Sequence, residues 1–217
     1  MRQVGSASSP SGTGSVNAPL PIVAFDFDGT LTVRDSFMAF LRWRAGAVGF
    51  ALGLVRLTPA ALTYLIHRDR GRIKSAATSV FLKSTPRSRL EADARRFAEA
   101  RAAHLVRPDA RAAWTEWRAR GARLVIVTAS PTAIVAPFAA ALGADELIGT
   151  ELAYDAQDRV TGTFATPNCR GAEKVKRLEA RFGPGLRLEA AYGDTSGDRE
   201  MLAIADVAGL RVFTGRP

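Results

Sequence analysis

Three features of the sequence predict an α/β protein: a doubly wound parallel sheet with an inserted all-helical segment. Short apolar runs alternate with helix-length amphipathic stretches, which is the pattern of a parallel sheet covered by helices. Two of those runs end in acidic, glycine-containing loops, 26–30 and 193–198. A long stretch with helical character and no clear strand separates the first run from the second. In open sheets of this kind ligands collect outside the carboxyl ends of the strands, so the acidic loops fall where a site is expected.

Taken in order, residues 1–21 are rich in Gly, Ser and Pro, carry Arg2 as their only charge, and read as a flexible tail. No apolar run of signal-peptide length follows Arg2. Ile22–Phe25 reads as a short buried strand feeding Asp26-Phe27-Asp28-Gly29-Thr30. Residues 35–107 form the helical insertion, or cap, which leaves 22–34 and 108–217 as the core. Asp109 is placed to cap a helix that reaches Arg120 and ends at Gly121. Arg123–Val127 is the second buried strand; it runs into Thr128-Ala129-Ser130, with Pro131 at the start of a helix that stops at Gly143. Glu151–Thr163 reads as a hairpin turning near Asp155–Asp158. Ala172–Phe182 is a charged amphipathic helix closed by Gly183, and Leu186–Tyr192 is the strand that feeds the second acidic loop. A short helix and a last strand, Val207–Val212, follow.

With 217 residues, 47% hydrophobic and 24% charged, the chain suits one domain or a core with one insertion, and neither wholesale disorder nor a polytopic membrane protein fits. The single Cys169 excludes an internal disulfide framework and a Cys-rich zinc module. The net charge of +9 is localised: Arg68 to Arg123 hold 15 basic and six acidic residues. Such a segment reads either as a face for a polyanion or anionic membrane, or as solvated Arg-rich helix faces.

The chemistry lies in the loops. Residues two apart in an extended segment point the same way, so Asp26 and Asp28 can face one crevice. Asp194 and Asp198 join them from another strand end, and four acids meeting there require a cation; hard oxygen ligands beside phosphate suit Mg²⁺. Thr128 ends the strand between them, the helix near Pro131 offers free amides to an anion, and Lys174 supplies a positive charge. A carboxylate nucleophile, a second acid, a metal, a hydroxyl and a lysine make a phosphoryl-transfer site that works through an aspartyl-phosphate.

These residues resemble the haloacid dehalogenase superfamily of aspartate-nucleophile phosphatases. The likeness rests on Asp-Phe-Asp-Gly-Thr-Leu-Thr (26–32), Val-Thr-Ala-Ser (127–130), Lys174 and Gly-Asp-Thr-Ser-Gly-Asp (193–198), in that order. It implies Asp26 as nucleophile and metal ligand, and Asp28 as general acid/base whose carbonyl touches Mg²⁺. It further implies Thr128, the Ala129 amide and Lys174 as phosphate contacts, Asp194 as direct metal ligand, and Asp198 as its support. Asp28 also argues against a true dehalogenase, whose halide leaving group needs no acid.

An all-helical cap directly after the first strand is similar to the phosphoserine-phosphatase-like branch (subclass IB), in which an acid nine residues after the nucleophile contacts the substrate amine. Here that acid is Asp35, shorter than the usual glutamate. Phe40-Leu41-Arg42 before an apolar run, Thr128-x-Ser130-Pro131 and Asn168-Cys169-x-Gly171-x-Glu173-Lys174 also resemble the phosphatidylglycerophosphatase C type. That likeness implies a phospholipid substrate.

The apolar run itself, Ala45 to Ile66, has Arg56 as its only charge and Pro59 inside it. It is long enough to cross a bilayer, but one crossing would separate Asp26 from Asp194, which must share a sheet. Basic flanks at Arg42, Arg44, Arg68, Arg70, Arg72 and Lys74 suit an interfacial helical pair on anionic lipid. The alternative is a helix pair buried in the cap, and Gly46, Gly49 and Gly53 permit close packing under both readings. His67 and His104 are expected to be non-catalytic, Cys169 a spectator, and Trp43, Trp114 and Trp117 packing residues.

The expected activity is therefore an Mg²⁺-dependent phosphomonoesterase on a phospholipid intermediate, in the cytoplasm or at the cytoplasmic face of its membrane, with no nucleic-acid partner. A soluble ester such as phosphoserine, a phosphotransferase, and a polyanion-binding protein with a vestigial site are the rival readings.

Overall fold

A computed structural model describes residues 20–67 and 70–217, the side chains of 59–67 and 70 excepted. β1 (Ile22–Phe25) passes through a tight loop into the cap helices α1 (Ser36–His67), α2 (Arg70–Leu82) and α3 (Arg87–Leu105). The chain returns through α4 (Pro108–Ala119), β2 (Arg123–Pro131), α5 (Thr132–Leu142) and β3 (Glu146–Thr150). A hairpin of β4 (Leu152–Tyr154) and β5 (Val160–Phe164) precedes α6 (Ala172–Phe182), β6 (Leu188–Gly193), α7 (Arg199–Ala203) and β7 (Ala205–Leu210).

The main sheet is wholly parallel, in the order β3-β2-β1-β6-β7, as the alternating pattern predicts. Both faces of β1 are covered, which is why its sequence is an unbroken apolar run. Val23 and Phe25 pack to one side with Ile126, Ile134 and Phe138; Ala24 packs to the other with Val127, Cys169, Leu178 and Met201. Every one of these is fully or almost fully buried, each large side chain contributing on the order of 2 kcal/mol.

Four local expectations are corrected. β3 has no counterpart in the sequence reading: Glu146-Leu-Ile-Gly-Thr150 carries too short an apolar run to announce a strand, and pairing with β2 supplies what its own pattern lacks. Asp109 does not cap α4. Arg107 occupies the cap position, while Asp109 accepts from the amides of Ala110, Thr214 and Gly215 and so clamps the C-terminal segment. β6 begins two residues later than expected, and β7 lies two residues earlier. In α1, Pro59 lies inside a helix that continues to His67; the interruption falls at Gly46, whose φ of 69° with ψ of 173° favours glycine.

The cap is tied to itself and to the core. Trp43 packs against Phe40 and Phe97, and Gly53 lies against the ring of Phe81, where a Cβ would come within 2.1 Å. Gly49 meets only Ala45. Buried Asp93 accepts from Arg44 at 2.9 Å and also from Arg96. The hairpin buttresses the far end, with Ser84 donating to the Val160 carbonyl and Val160 to that of Thr85. Trp114 and Trp117 donate to the Leu142 carbonyl and the Tyr192 hydroxyl, as packing residues do. The outward side of α1 stays uncovered: Val48, Leu52, Leu54 and Val55 are 44–74% exposed. Ser36–Thr58 is the one stretch among the described residues long and apolar enough to cross a membrane, and only 17% of its apolar window is buried. Residues 1–19, Arg68 and the side chains of His67 and Arg70 fall outside the description.

Candidate active site

The loop after β1 is a close fit. Gly29 has φ of 86°, and a Cβ on it would stand 2.2 Å from Asp194 Oδ2, so both backbone and space call for glycine. The Asp26 amide donates to the Tyr192 carbonyl at 2.9 Å, joining the nucleophile position to the end of β6. Above these strand ends lies a cavity of about 740 Å³ between core and cap. Every residue expected at the site lines it except Thr128.

Lys174, on the first turn of α6, is at the centre of the floor. Its ammonium is buried and donates to Asp26 Oδ1 at 2.6 Å, Asp198 Oδ1 at 2.7 Å and the Val127 carbonyl at 2.6 Å. All three donors are thus committed, and the lysine holds Asp26 more directly than it offers itself to an anion in the cavity. Burial works to lower its pKa, but the Asp26 and Asp198 carboxylates outweigh that and hold it above the usual lysine range. Asp26 also accepts from the Thr30 hydroxyl at 3.2 Å. Burial pushes the Asp26 carboxyl up to about 7, with Lys174 pulling the other way and Asp198 and Asp28 adding to the rise.

The acids divide into two kinds. Asp198 is satisfied by protein: Oδ1 meets Lys174, and Oδ2 accepts from the amides of Asp194 and Thr195 and from the Thr195 hydroxyl. Burial opposes its ionisation, yet Lys174 and the Thr195 donors hold it below the usual carboxylate range. Asp194 Oδ1 is buried and has no hydrogen-bond partner, and burial together with Asp198 raises its pKa. One oxygen each of Asp26, Asp194 and Asp198 lie within 4.8 Å of one another. An orphaned carboxylate oxygen beside two further acids is the donor set a hard divalent cation takes, so Mg²⁺ fits here. Asp26 and Asp194 would ligate it, and Asp198 would support them.

Asp28 is held on the opposite wall. It accepts from the Ser36 amide at 2.6 Å, the Ser130 hydroxyl at 2.5 Å and the Thr128 hydroxyl at 3.4 Å. Thr128 is wholly buried, its hydroxyl also accepting from the Ser130 amide, so it faces Asp28 and not the cavity. The helix amides expected to help also stand back: β2 runs on to Pro131, α5 starts at Thr132, and none of its first turn lines the cavity.

Asp35 is on the wall, but Oδ1 caps α1 by accepting from the Met38 amide at 2.8 Å. Burial and Asp28 raise its pKa, and Lys74 lowers it.

Sequence reasoning missed several groups. Ser130 follows Thr128 by two positions in β2, so strand alternation could have placed both hydroxyls beside Asp28. Lys74 comes from the cap and donates to the Ala129 carbonyl at 3.2 Å; read as a membrane flank, it is instead part of the cavity. Arg44, assigned the same flanking role, is committed to Asp93. Asn168 Oδ1 lines the cavity, buried and unpartnered, and Arg170 braces the second acidic loop through Thr195 and Ser196. Cys169 is buried with its thiol pushed up to about 11 by burial, as a spectator would be.

Residues 23–203 match the family described as haloacid dehalogenase-like hydrolase. The chain is 58% identical over 212 residues to Protein CicA of Caulobacter vibrioides, covering 98% of this chain and 95% of that protein. Among solved structures it resembles a protein of unknown function from Bordetella pertussis Tohama I (TM-score 0.71, 23% identity, 85% of this chain and 86% of the other). It also resembles a substrate-bound phosphoserine phosphatase complex (TM-score 0.60, 19% identity, 87% and 84%) and a phospho-aspartyl intermediate analogue of phosphoserine phosphatase (TM-score 0.58, 19% identity, 87% and 85%). At these identities the structural likenesses speak for the fold.

Proposed function

This chain belongs to the haloacid dehalogenase-like hydrolases, and from that premise we propose that it is an Mg²⁺-dependent phosphomonoesterase acting on a phospholipid intermediate such as phosphatidylglycerophosphate. The observation that carries the substrate reading is the two-sided cavity. Its floor is carboxylate and lysine, while Phe37, Met38, Leu54, Leu57, Ile73 and Ala77 make an apolar wall on α1 and α2. Leu54 is also 44% exposed, so the apolar wall reaches the surface of α1, whose outward face carries Val48, Leu52 and Val55. A molecule with a phosphate head and an acyl tail matches both parts. An amphipathic face of this kind lies in the plane of a bilayer at its cytoplasmic surface, and β1 and β6, paired in one sheet, keep both ends of the cap on the same side.

In the reaction, an Asp26 oxygen attacks phosphorus while the P–O bond to the alcohol breaks, and Asp28 gives its proton to the departing oxygen. Asp28 then takes a proton from water, whose oxygen attacks the aspartyl-phosphate and frees Asp26. Ser36 and Ser130 fix the carboxylate that performs both transfers. Lys174 and Thr30 fix the nucleophile. Asp26, Asp194 and the Asp28 carbonyl would hold Mg²⁺, which would supply charge neutralisation for the phosphate oxygens. Ala129 borders the phosphate position, and Thr128 joins it only when its hydroxyl turns from Asp28.

A second reading, a soluble amino-acid phosphate such as phosphoserine, draws on one observation: Asp35 and Lys74 stand together on the wall with opposite charges, as a zwitterion would require. Mg²⁺-dependent phosphate release from micellar phosphatidylglycerophosphate and from phosphoserine, with Asp26→Asn as blank, separates the two. A strong lipid preference is expected. Preference for phosphoserine would make the apolar wall a cap core, and release from neither would remove both substrates.

A further inference from the structure

A second chamber of about 570 Å³ opens beside the catalytic cavity, and the two share Val33, Arg34 and Arg107 as walls. Its other lining comes from His104 on α3 and from the C-terminal segment: Phe213, Thr214, Arg216 and Pro217. Three arginines and a histidine therefore meet in it, and none of the described residues lining it is acidic. Asp109, which clamps the segment nearby through three backbone amides, makes no ion pair with these arginines among the described residues.

The arginines have donors to offer. Arg107 is anchored through one terminal nitrogen to the Gly215 carbonyl at 2.9 Å, and its Nε is buried without a hydrogen-bond partner. An unpartnered buried guanidinium N–H is costly unless an acceptor arrives, and phosphate oxygens suit a planar guanidinium. Among the described residues neither Arg34 nor Arg216 makes an ion pair, although many other arginines of the chain do.

We infer that this chamber is a second anion subsite that takes a phosphodiester carried by the same molecule whose phosphomonoester reaches Asp26. Arg34 and Arg107 lie on the shared wall and bridge the two anions, while Arg216 and His104 complete the far side. The inference deepens the proposed phosphatase reading and rests on it for the identity of the first anion. It does not depend on acyl chains, because no residue of α1 lines the chamber.

The test therefore uses acyl-free probes. Dissociation constants of glycerophosphoglycerophosphate, which has a diester and a monoester, and of glycerol 3-phosphate, which has the monoester alone, are measured by calorimetry on Asp26→Asn with Mg²⁺. The measurement is repeated with Arg216→Ala and with Arg107→Gln added, and folding is checked by thermal melting. The subsite predicts that the diester-bearing probe binds about tenfold or more tightly, and that most of this ratio is lost in both variants. An equal affinity for the two probes, or a ratio unchanged by both substitutions, overturns it. A third arm adds inorganic phosphate to protein saturated with glycerol 3-phosphate. A second equivalent bound there, without any advantage for the tethered diester, would make the chamber a site for free phosphate and overturn the substrate assignment. Turnover of both probes by the unsubstituted protein is read separately: its absence counts against the phosphatase reading, while the binding ratio still decides the subsite.

Discussion

The floor of the catalytic cavity and its roof are held by opposite means. Asp26, Asp198 and Lys174 on the floor and Asp28 on the facing wall each meet two or more partners within the protein, and among these acids Asp194 retains an open oxygen. In the roof, α1 presents Val48, Leu52 and Val55 to the outside, exposed among the described residues. The difference teaches that the reacting groups are oriented before substrate arrives, as electrostatic preorganisation requires. Under the proposed lipid reading, selection falls to that exposed face.

The sharpest way to break that contrast is to remove the nucleophile. Asp26→Asn is expected to lower turnover by roughly 10⁴-fold or more while the thermal midpoint moves little, since Lys174 keeps Asp198 and the Val127 carbonyl. Retained activity would displace Asp26 from its role.

Lys174→Met should disturb floor and stability together. It leaves two buried carboxylates facing each other, and urea unfolding is expected to show a loss of about 3–5 kcal/mol, with turnover reduced at least about 100-fold. A stable, active variant would mean that the ion network is dispensable.

The roof answers to a different probe. Val48→Glu with Val55→Glu should lower co-sedimentation with anionic vesicles and the hydrolysis of a micellar lipid by about tenfold, and leave a soluble aryl phosphate within about twofold. Equal effects on both substrates would show the face to be structural.

The smallest expected effect concerns protons on the floor. Asp26 has a folded pKa of about 7, above its unfolded value, so its contribution to stability is lost as pH rises from about 4 through 7. Mg²⁺ offsets that loss only where the carboxylate is ionised. The rise in thermal midpoint on adding Mg²⁺ should therefore be a few degrees at about pH 8 and smaller at about pH 5.5. A shift of the same size at both would detach the cation from Asp26.

The same contrast explains what the sequence could disclose. Asp26, Asp28, Asp194 and Asp198 were legible because they fall in loops that follow buried apolar strands, and an apolar run ending in acids is visible in the sequence itself. Lys74 was not: its acceptor, the Ala129 carbonyl, lies 55 residues away, and only the packing of the cap over the sheet brings the two together. Arg107 and Arg216 come together through a clamp by Asp109 that no local pattern announces. β3 was hidden because an edge strand with two large apolar residues leans on its neighbour's hydrogen bonds. Pro59 misled in the other direction, by suggesting a break that falls instead at Gly46.

β1, at the middle of the sheet, governs how the chain comes to be active. It is the first of the described strands to be synthesised, yet Ile22 pairs with Arg123 and Val23 with Ala190, so one of its edges stays open until most of the polypeptide has emerged. Contacts of such sequence separation close slowly, and an apolar strand with a vacant edge is a hazard in the meantime. Refolding should accordingly regain helical signal well before hydrolysis, because Asp26 is seated only when the Tyr192 carbonyl arrives to accept its amide. Catalytic competence in this molecule is therefore expected to wait for the β1–β6 pairing, since a chain stalled before β6 lacks the Tyr192 carbonyl that seats Asp26.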